Sequence, residues 1–339
     1  MELVLPHVLV LNAGSSTLKY AVFDGLTAVE KDQVEAVGAE ALRLVVDRLK
    51  GQEFSGIGHR IVHGGTKYVS PIRVDDLVQA DLDALRALAP LHLPFGLGAL
   101  REMRKIAPQV PHIACFDTAF HATQSALATR LPIPRAYHDR GYRRYGFHGL
   151  SYEHVVGVLP KPLPRRLLVA HLGNGASMCA IVDGKSVATT MGYSTADGLV
   201  MGTRTGTIDP GVLTALMRDD HLDLEGMEDL LYRRSGLLGL SGISSDMRVL
   251  LASGAPEARE AVDCYCYAAA RHAGSMIVAM GGVDAMVFTG GIGENAEPVR
   301  SRILDYLAWL NINNVQIVPA NEELAIARHV RDYTKGDAQ

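Results

Sequence analysis

A short motif occurs twice in the chain, about half the chain's length apart, and this repeat constrains the fold more than any other feature. Residues 11–16, Leu-Asn-Ala-Gly-Ser-Ser, end one predicted strand and precede a second one that ends at Asp24. Residues 173–177, Gly-Asn-Gly-Ala-Ser, stand between two similar strands, the second of which ends at Asp183. Interpreted as a duplication, the repeat predicts two similar domains that face each other across a cleft.

Strand-like and helix-like apolar patterns alternate on both sides of the repeat. We predict strands at 8–13, 20–24, 57–63, 112–116, 167–171, 178–182, 186–191, 285–289 and 315–319. We predict helices at 35–50, 75–89, 151–159, 211–217, 255–280, 297–310 and 321–330. In the longest helix, apolar side chains recur at helical spacing from Val262 to Met280, which predicts a core stripe. The alternation predicts an α/β protein.

Length and charge exclude several classes of protein. At about 150 residues per domain, a chain of 339 residues has room for two domains. The 33 Lys+Arg and 37 Asp+Glu residues give a net charge of -4, so no overall basic field would attract nucleic acid or an anionic membrane. We find no signal peptide and no apolar run long enough to span a membrane, and four cysteines are too few for a disulfide framework. We therefore expect a cytoplasmic protein with reduced thiols.

Glycine-rich turns follow three of the predicted strands, at 12–17, 171–175 and 289–295. Small residues there allow backbone N–H groups to approach phosphate oxygens, and Lys19 can add a donor. The chain lacks the Gly-x-Gly-x-x-Gly dinucleotide motif and the Gly-Lys-Ser/Thr phosphate loop. Each turn taken alone could be an ordinary tight connection. Three in one chain favour a phosphate-binding protein.

Two arginines stand in unusual sequence contexts. Arg60 lies inside an apolar strand, and Arg204 lies in the loop 202–210 before a helix. Guanidinium groups match carboxylates and phosphates bidentately, so both residues are candidate anion ligands. A buried structural salt bridge is the alternative for Arg60, and a solvated surface charge is the alternative for Arg204.

A carboxylate and a histidine complete the candidate site. Asp117 ends a predicted strand, where open α/β sheets commonly bind ligands. His148 stands next to Gly149 and close to Gly146, which suits close approach by a ligand, although a structural histidine is the alternative. No zinc-type spacing and no Gly-x-Ser-x-Gly nucleophile motif occurs, so covalent hydrolase chemistry has no support.

Taken together, these motifs resemble the acetate kinase family, which belongs to the superfamily of acetate and sugar kinases, heat-shock chaperones and actin. The resemblance runs from Val10 to about Arg328, in blocks at 12–19, 58–65, 116–121, 145–149, 171–175, 202–210, 241–248, 289–295 and 321–323. It implies two actin-like ATPase (ribonuclease H-like) domains with a cleft between them. The N-terminal, substrate-side domain would cover 1–117, completed by a helix at 321–335, and the nucleotide-binding domain would cover 118–320.

The resemblance also implies an activity. It is the reversible, Mg²⁺- or Mn²⁺-dependent transfer of the γ-phosphoryl group of ATP to acetate, which gives acetyl phosphate and ADP in a homodimer. Acetate is already a carboxylate near pH 7, so it needs no general base. The difficulty is the repulsion between two anions, which positive groups must offset.

The family's site residues carry over by position. Asn12 and Glu322 are implied to organise the metal, and Arg60 is implied to bind the substrate carboxylate. Arg204 and His148 would stabilise the transferring phosphoryl group, with Asp117 positioning the arginine or the metal. The remaining implied residues bind the acyl substrate (Val62, Leu91, His92 and Phe147) or the nucleotide (Ser16, Lys19, His171, Leu172, Gly173, Asn174, Gly175, Asp246, Met247, Arg248, Gly291, Ile292, Gly293, Glu294 and Asn295).

The chain departs from the family pattern in three positions and two segments. Leu93, Thr195 and Thr207 replace the Asn, Pro and Asp that are usual there, so propionate or another short-chain carboxylate is an alternative substrate. The chain is also shorter than usual between Asp24 and Ser55 and between Asn311 and Pro319. Three further alternatives are a nucleotide-gated binding protein of the actin or chaperone type, a degenerate relative without activity, and pyrophosphate as the donor.

Overall fold

The computed structural model describes residues 7–14, 17–36 and 38–336, which form two compact units. Unit 1 comprises the described residues of Met1–Ala122, Phe147–Gly157 and Asn321–Gln339, and unit 2 comprises Thr123–Gly146 and Val158–Ala320. Each unit contains one β-sheet with helices packed against it, which confirms the predicted α/β class.

The strands are β1 (His7–Ala13), β2 (Leu18–Asp24), β3 (Thr27–Val34), β4 (Phe54–Ile61), β5 (Ile72–Arg73), β6 (His112–Phe116), β7 (Arg166–Leu172), β8 (Ala176–Val182), β9 (Lys185–Thr189), β10 (Ala285–Thr289) and β11 (Val315–Ile317). The helices are α1 (Gly38–Arg48), α2 (Asp76–Ala84), α3 (Leu93–Ile106), α4 (Ala126–Thr129), α5 (Arg135–Asp139), α6 (Gly149–Val158), α7 (Pro210–Asp219), α8 (Leu224–Arg233), α9 (Gly236–Ser241), α10 (Met247–Ala252), α11 (Pro256–Met280), α12 (Gly290–Asn295), α13 (Glu297–Tyr306) and α14 (Glu322–Gly336).

The two sheets share one strand order. In unit 1 the order is β3-β2-β1-β4-β6-β5, and in unit 2 it is β11-β10-β7-β8-β9. In each sheet, the first three strands form an antiparallel meander, β1-β2-β3 in unit 1 and β7-β8-β9 in unit 2. In unit 1, β1 pairs parallel to β4, and β4 pairs parallel to β6. In unit 2, β7 pairs parallel to β10, and β10 pairs parallel to β11. Unit 1 adds only the two-residue edge strand β5. The shared order confirms the two similar domains that the repeated motif predicts.

Close packing of α14 on β4 holds one face of the unit 1 sheet. A Cβ at Gly58 would lie 2.3 Å from Ile326 Cγ2, and one at Gly56 would lie 2.6 Å from Val330 Cγ1. Only glycine lets the helix approach this closely. α14 begins at Glu322, so this packing also fixes where the first carboxylate of the helix lies.

The segment Phe147–Gly157 belongs to unit 1, whereas the predicted boundaries place it in the second domain. Its helix, α6, buries Leu150 in the same cluster as Val10 and Ile326. Apolar burial therefore returns this segment to the first sheet after the chain has entered unit 2.

The long helix α11 lies in unit 2 and has the predicted apolar stripe. Val262, Cys266, Ala273 and Met280 along this stripe are all buried, as the helical spacing predicts. Among the described residues, no helix is both long enough and apolar enough to cross a membrane.

Candidate functional site

Arg60 and Asp117 form a bidentate ion pair in unit 1. Arg60 lies one residue before the end of β4, and Asp117 directly follows β6. Because β4 and β6 are adjacent parallel strands, both residues lie at the same end of the sheet. Arg60 donates from Nε to Asp117 Oδ1 at 3.0 Å and from Nη2 to Oδ2 at 2.8 Å. The Asp117 side chain is 2% exposed, so this carboxylate is buried against its partner.

The other edge of the Arg60 guanidinium meets polar groups from β1 and α14. Nη1 lies 2.8 Å from Glu322 Oε2 and 3.3 Å from Asn12 Oδ1. Asn12 Nδ2 in turn donates to Glu323 Oε1 at 3.2 Å. Burial acts to lower the pKa of Arg60, but the Asp117 and Glu322 carboxylates outweigh it, so the pKa is raised and the charge is fixed.

This cluster changes the picture of Arg60. The sequence assigns it to the substrate carboxylate, with a buried salt bridge as the alternative, and the structure shows that salt bridge. Asp117 was predicted to position an arginine or the metal, and the arginine with which it pairs is Arg60. The Arg60 side chain is 20% exposed. Its role toward substrate stays a prediction.

The same cluster supplies the donors that Mg²⁺ prefers. Asn12 Oδ1 and the carboxylates of Glu322, Glu323 and Asp117 are hard oxygen ligands gathered around one guanidinium. Among the described residues, no group of three or more His, Cys, Asp or Glu side chains forms a ready metal cage. The set therefore fits a metal that takes one or two protein ligands and shares the rest with phosphate and water.

Lys19, one of the predicted phosphate ligands, lies beside Asn12. Lys19 is the direct cross-strand partner of Asn12 in the β1–β2 pair, and cross-strand partners project from the same face of a sheet. The Lys19 side chain is exposed. Ser16 lies outside the described residues.

His148 is held beside Asp117 through the backbone of its neighbour. Gly149 N donates to Asp117 O at 2.9 Å, and a Cβ at Gly149 would lie 2.2 Å from that oxygen. His148 itself has φ 57°, a left-handed conformation that non-glycine residues seldom adopt. Strained backbone of this kind is concentrated at functional sites, which is consistent with the role predicted for His148.

Two of the predicted acyl-binding residues adjoin His63, a histidine to which the sequence pattern assigned no role. Phe147 is 1% exposed, and its ring lies edge-on to His63 with centroids 5.7 Å apart. Burial lowers the pKa of His63 to about 4, so the ring is neutral at pH 7. Val62 follows β4 directly, next to His63. The available signal was the histidine placed before two glycines at 63–65.

Leu91 and His92 lie at the start of α3. This helix approaches the end of β4 closely, since a Cβ at Gly96 would lie 3.1 Å from Arg60 O. Both side chains are half-buried. The start of α3 is thereby brought to the strand that bears Arg60 and leads into Val62.

The glycine-rich turns of unit 2 lie side by side. β7 and β10 are adjacent parallel strands, with His171 paired to Thr289, so the turns that follow them emerge at the same sheet edge. Gly290 has φ 79°, and a Cβ there would lie 2.8 Å from Leu172 O. Carboxyl ends of parallel strands are where α/β sheets bind ligands. The structure thus brings together 171–175 and 291–295.

The turn that carries Arg204 contacts the first of these glycine turns. Gly202 N donates to Asn174 O at 3.0 Å, and a Cβ at Gly202 would lie 2.0 Å from Asn174 Oδ1 and 3.2 Å from Ser245 O. Arg204 Nη1 donates to Thr195 O at 3.2 Å. Burial lowers the pKa of Arg204, but a guanidinium remains charged at pH 7.

The other predicted nucleotide residues have local roles as well. Asp246 caps α10 by accepting from Arg248 N at 2.9 Å and pairs with the exposed Arg248 side chain at 2.6 Å. Met247 is buried. Ser245 O, beside Gly202, places this segment next to the Arg204 turn. Glu294 Oε1 accepts from Ala320 N at 2.9 Å, and Asn295 Nδ2 donates to Gly291 O at 2.9 Å.

Two groups of predicted residues therefore assemble. Unit 1 gathers Asn12, Arg60, Asp117 and Glu322, with His148 joined through Gly149, and unit 2 gathers the glycine turns, Arg204 and the segment before α10. Sequence reasoning missed Glu323 and His63. Glu323 was visible as the second carboxylate of the Asn-Glu-Glu sequence at 321–323.

Comparison with known proteins identifies the family to which the whole chain is similar. The model of the acetokinase family matches residues 30–328. The acetate kinase of Rhodopseudomonas palustris is 40% identical over 386 aligned positions, which cover 95% of this chain and 97% of that protein.

Solved structures agree. A propionate kinase from Francisella tularensis superposes with a TM-score of 0.90 at 32% identity, covering 97% of this chain and all of the other. The acetate kinase of Porphyromonas gingivalis superposes with a TM-score of 0.86 at 31% identity, covering 96% and 99%. These similarities confirm the predicted pair of actin-like ATPase domains.

Proposed function

The chain belongs to the acetokinase family, and we propose that it reversibly transfers the γ-phosphoryl group of ATP to acetate, giving acetyl phosphate and ADP. The observation that carries this proposal is the Arg60–Asp117 pair with Asn12 and Glu322, in a chain that matches acetate kinases almost end to end. A protein that only switches conformation with ATP has no need of Arg60, Asp117, His148 and Arg204 as a set.

The chemistry is a direct in-line displacement. A carboxylate oxygen of acetate forms the new bond to the γ-phosphorus, and the bond from that phosphorus to the bridging oxygen breaks. The electron pair of the broken bond goes to ADP, and no proton moves. Since both reactants are anions, catalysis consists of alignment and of neutralising the charge on the transferring group.

Three cationic or donor groups meet this requirement. By family resemblance, Arg204, which is half-buried and charged, and His148 stabilise the transferring group, and Arg60, whose side chain is 20% exposed, binds the acetate carboxylate. Asp117 holds Arg60 in a single orientation through its bidentate bond. Preorganised donors of this type contribute about 2.7–4 kcal/mol each to transition-state stabilisation.

A divalent ion, Mg²⁺ or Mn²⁺, completes the charge balance. Asn12 and Glu322 would hold it, because they offer an amide oxygen and a carboxylate at one place in unit 1. The ion supplies positive charge to the phosphate oxygens when it is bound.

Unit 2 is the nucleotide-binding domain in this proposal, and unit 1 is the substrate-side domain. The adjacent turns 171–175 and 291–295 direct backbone N–H groups toward phosphate, and 246–248 lies beside the Arg204 turn. Lys19, and Ser16 by family resemblance, add phosphate contacts. We further propose a cytoplasmic homodimer, supported by the family resemblance and, for the dimer, by exposed apolar side chains on α11, Tyr267 and Val278.

Propionate is the second candidate substrate. Two observations support this candidate: the chain departs from the family pattern at Leu93, directly after the predicted pocket residue His92, and it is similar over nearly its full length to a propionate kinase.

Turnover with MgATP against formate, acetate, propionate and butyrate tests the proposal, with the acyl phosphate trapped by hydroxylamine. We expect acyl phosphate from acetate or propionate, and a loss of about 10²–10³-fold in kcat for Arg204→Ala. Arg218→Ala is the matched control, because Arg218 is an exposed arginine whose one ion pair within the described part of the chain is with its neighbour Asp219, at 3.0 Å. ATP hydrolysis that ignores every carboxylate would refute the proposal and favour a nucleotide-gated switch.

A further inference from the structure

We propose that Asp197 and Thr207 are positioning residues for Arg204. Their side chains close the loop 195–207, which contains Arg204, and so hold its guanidinium in one place. The inference rests on the role proposed for Arg204 and concerns unit 2 alone.

The two ends of the loop are joined by three hydrogen bonds. Thr207 Oγ1 donates to Asp197 Oδ1 at 2.9 Å and accepts from Gly198 N at 3.3 Å. Thr207 N donates to Gly198 O at 2.9 Å. Thr207 therefore ties the returning backbone to Asp197 and Gly198, and Asp197 Oδ1 also accepts from Gly198 N at 2.8 Å.

Glycines allow the two ends to meet. Gly198 has φ 96° and Gly206 has φ 71°, a region that other residues seldom adopt. A Cβ at Gly206 would lie 2.4 Å from Leu199 O. Gly198 follows Asp197 and Gly206 precedes Thr207, so a glycine stands at each end where the loop closes.

The second oxygen of Asp197 is anchored outside the loop. Arg144 Nη1 donates to Asp197 Oδ2 at 3.0 Å and lies 3.3 Å from Thr190 O. Asp197 consequently connects the loop to the segment before it and to a distant part of unit 2. Asp197 therefore fixes the position of the loop relative to Arg144 as well as closing the loop.

Arg204 depends on this anchored end. Its Nη1 donates to the carbonyl oxygen of Thr195, a buried residue two positions before Asp197. Its own backbone is set by Met201 N, which donates to Arg204 O at 3.2 Å. If the hydrogen bonds of Asp197 are lost, the Thr195 carbonyl that orients the Arg204 guanidinium can shift, even though the backbone turn at 201–204 stays in place.

Other contacts hold the middle of the loop and leave its ends to Asp197. Thr203 Oγ1 donates to Tyr232 O at 2.8 Å, and Gly202 N donates to Asn174 O at 3.0 Å. These bonds fix the part of the loop near the nucleotide turns. Loss of the closure should therefore lower kcat and leave nucleotide affinity nearly unchanged.

The size of the effect follows from exposure. A surface cavity of about 550 Å³ is lined by Arg144, Asp197, Thr207 and His272 among others, so water competes for these hydrogen bonds. The bond from Thr207 has a charged acceptor, and such a bond corresponds to about tenfold or more in a rate where water is excluded. Because water competes here, we expect about fivefold.

Steady-state kinetics of the full-length protein tests the inference. Thr207→Val removes the hydroxyl at nearly constant volume and should lower kcat about fivefold, with the Kd for MgADP and the midpoint of thermal unfolding unchanged. Thr207→Ser keeps the hydroxyl and should restore kcat to within about twofold. Thr214→Val is the matched control, since Thr214 is on exposed α7 and donates only to Gly211 O. Asp197→Asn should lower kcat about tenfold.

A double-variant comparison separates positioning from a general structural role. In an Arg204→Lys background, Thr207→Val should have little further effect, because both changes act through the same guanidinium. A full additional fivefold loss, or a Thr207→Val enzyme no slower than Thr214→Val, overturns the inference. Arg204→Ala with wild-type turnover refutes the proposed role of Arg204 and this inference together. An inactive Arg204→Ala beside unaffected Thr207→Val and Asp197→Asn overturns the inference alone.

Discussion

Arg60 donates two parallel hydrogen bonds to the carboxylate of Asp117, at 3.0 and 2.8 Å, and the carboxylate is almost completely buried. The guanidinium also contacts Glu322 and Asn12. This pair joins the carboxyl ends of β4 and β6, where the candidate site lies. It explains how an arginine is tolerated in an apolar strand, because its charge is matched on both sides.

Replacing Asp117 by Asn should damage both stability and activity. The change leaves Arg60 with one charged partner instead of two, so we expect a loss of about 2–3 kcal/mol in the free energy of unfolding. We also expect at least a hundredfold loss in kcat, because the orientation of Arg60 is no longer fixed. Urea unfolding and hydroxylamine-trapped turnover measure the two effects. Asp263→Asn is the control, since its pair with Arg302 is half-exposed and should contribute less than about 1 kcal/mol.

Gly202→Ala should impair nucleotide binding more than carboxylate binding. The added Cβ would lie 2.0 Å from Asn174 Oδ1 and 3.2 Å from Ser245 O, so at least the side chain of Asn174, a predicted nucleotide ligand, must move. We expect KM for MgATP to rise at least about tenfold, by the usual cost of forcing atoms into a filled space, and KM for acetate to change less. Gly254→Ala is the control, because no atom lies within 4 Å of a Cβ there. Equal KM values for Gly202→Ala and Gly254→Ala would show that the contact has no role in nucleotide binding.

Acid should destabilise the protein through its buried histidines. Burial lowers the pKa of His63 and of His121 to about 4, against about 6.5 in an unfolded chain. Between these values the unfolded chain binds more protons than the folded one, so stability is fully present above pH 6.5 and is lost as the pH falls toward 4. At pH 5 the loss is about 2 kcal/mol for each of the two.

Urea unfolding at pH 7.5, 6 and 5 measures this dependence. His63→Asn offers an oxygen where Nδ1 accepts from Gly65 N and removes one titrating group, so its stability should fall less between pH 7.5 and 5. His221→Asn, at an exposed histidine, should keep the wild-type slope. Identical slopes in all three proteins would contradict the prediction.

Gly58→Ala should separate α14 from the sheet. Its Cβ would lie 2.3 Å from Ile326 Cγ2 and 2.8 Å from Val330 Cγ2. Overpacking of a filled core costs about 1–3 kcal/mol, and the displaced helix also carries Glu322 away from Arg60. We expect lower stability with reduced activity, measured by unfolding and turnover. Gly98→Ala, where a Cβ meets no atom within 4 Å, should have neither effect.

Local patterns predicted the elements whose signal is continuous along the chain. The stripe from Val262 to Met280 predicted α11 within one residue at its start, and the strands predicted at 178–182 and 186–191 correspond to β8 and β9. The helix α3 was missed because Pro94, Gly96 and Gly98 interrupt its apolar spacing. The proline stands in the first turn, where it is tolerated, and Gly96 allows close contact with Arg60 O.

The strand β3 was missed for a different reason. Nearly all of its side chains are exposed or half-buried, since it is the edge strand of the unit 1 sheet. A strand that buries almost nothing has no apolar alternation to detect. Its pairing with β2 exists because the meander brings the two together.

The sequence by itself determined the α/β class, the repeated motif, the glycine turns and the family to which the chain belongs, because each of these is encoded in short continuous segments. Tertiary structure decided the partners: Arg60 meets Asp117 and Glu322, His148 is joined to Asp117 through Gly149, and Arg204 is oriented by Thr195. The reason is physical. Ion pairs and hydrogen bonds between distant residues depend on which strands become neighbours, and burial of apolar surface over the whole unit settles that order.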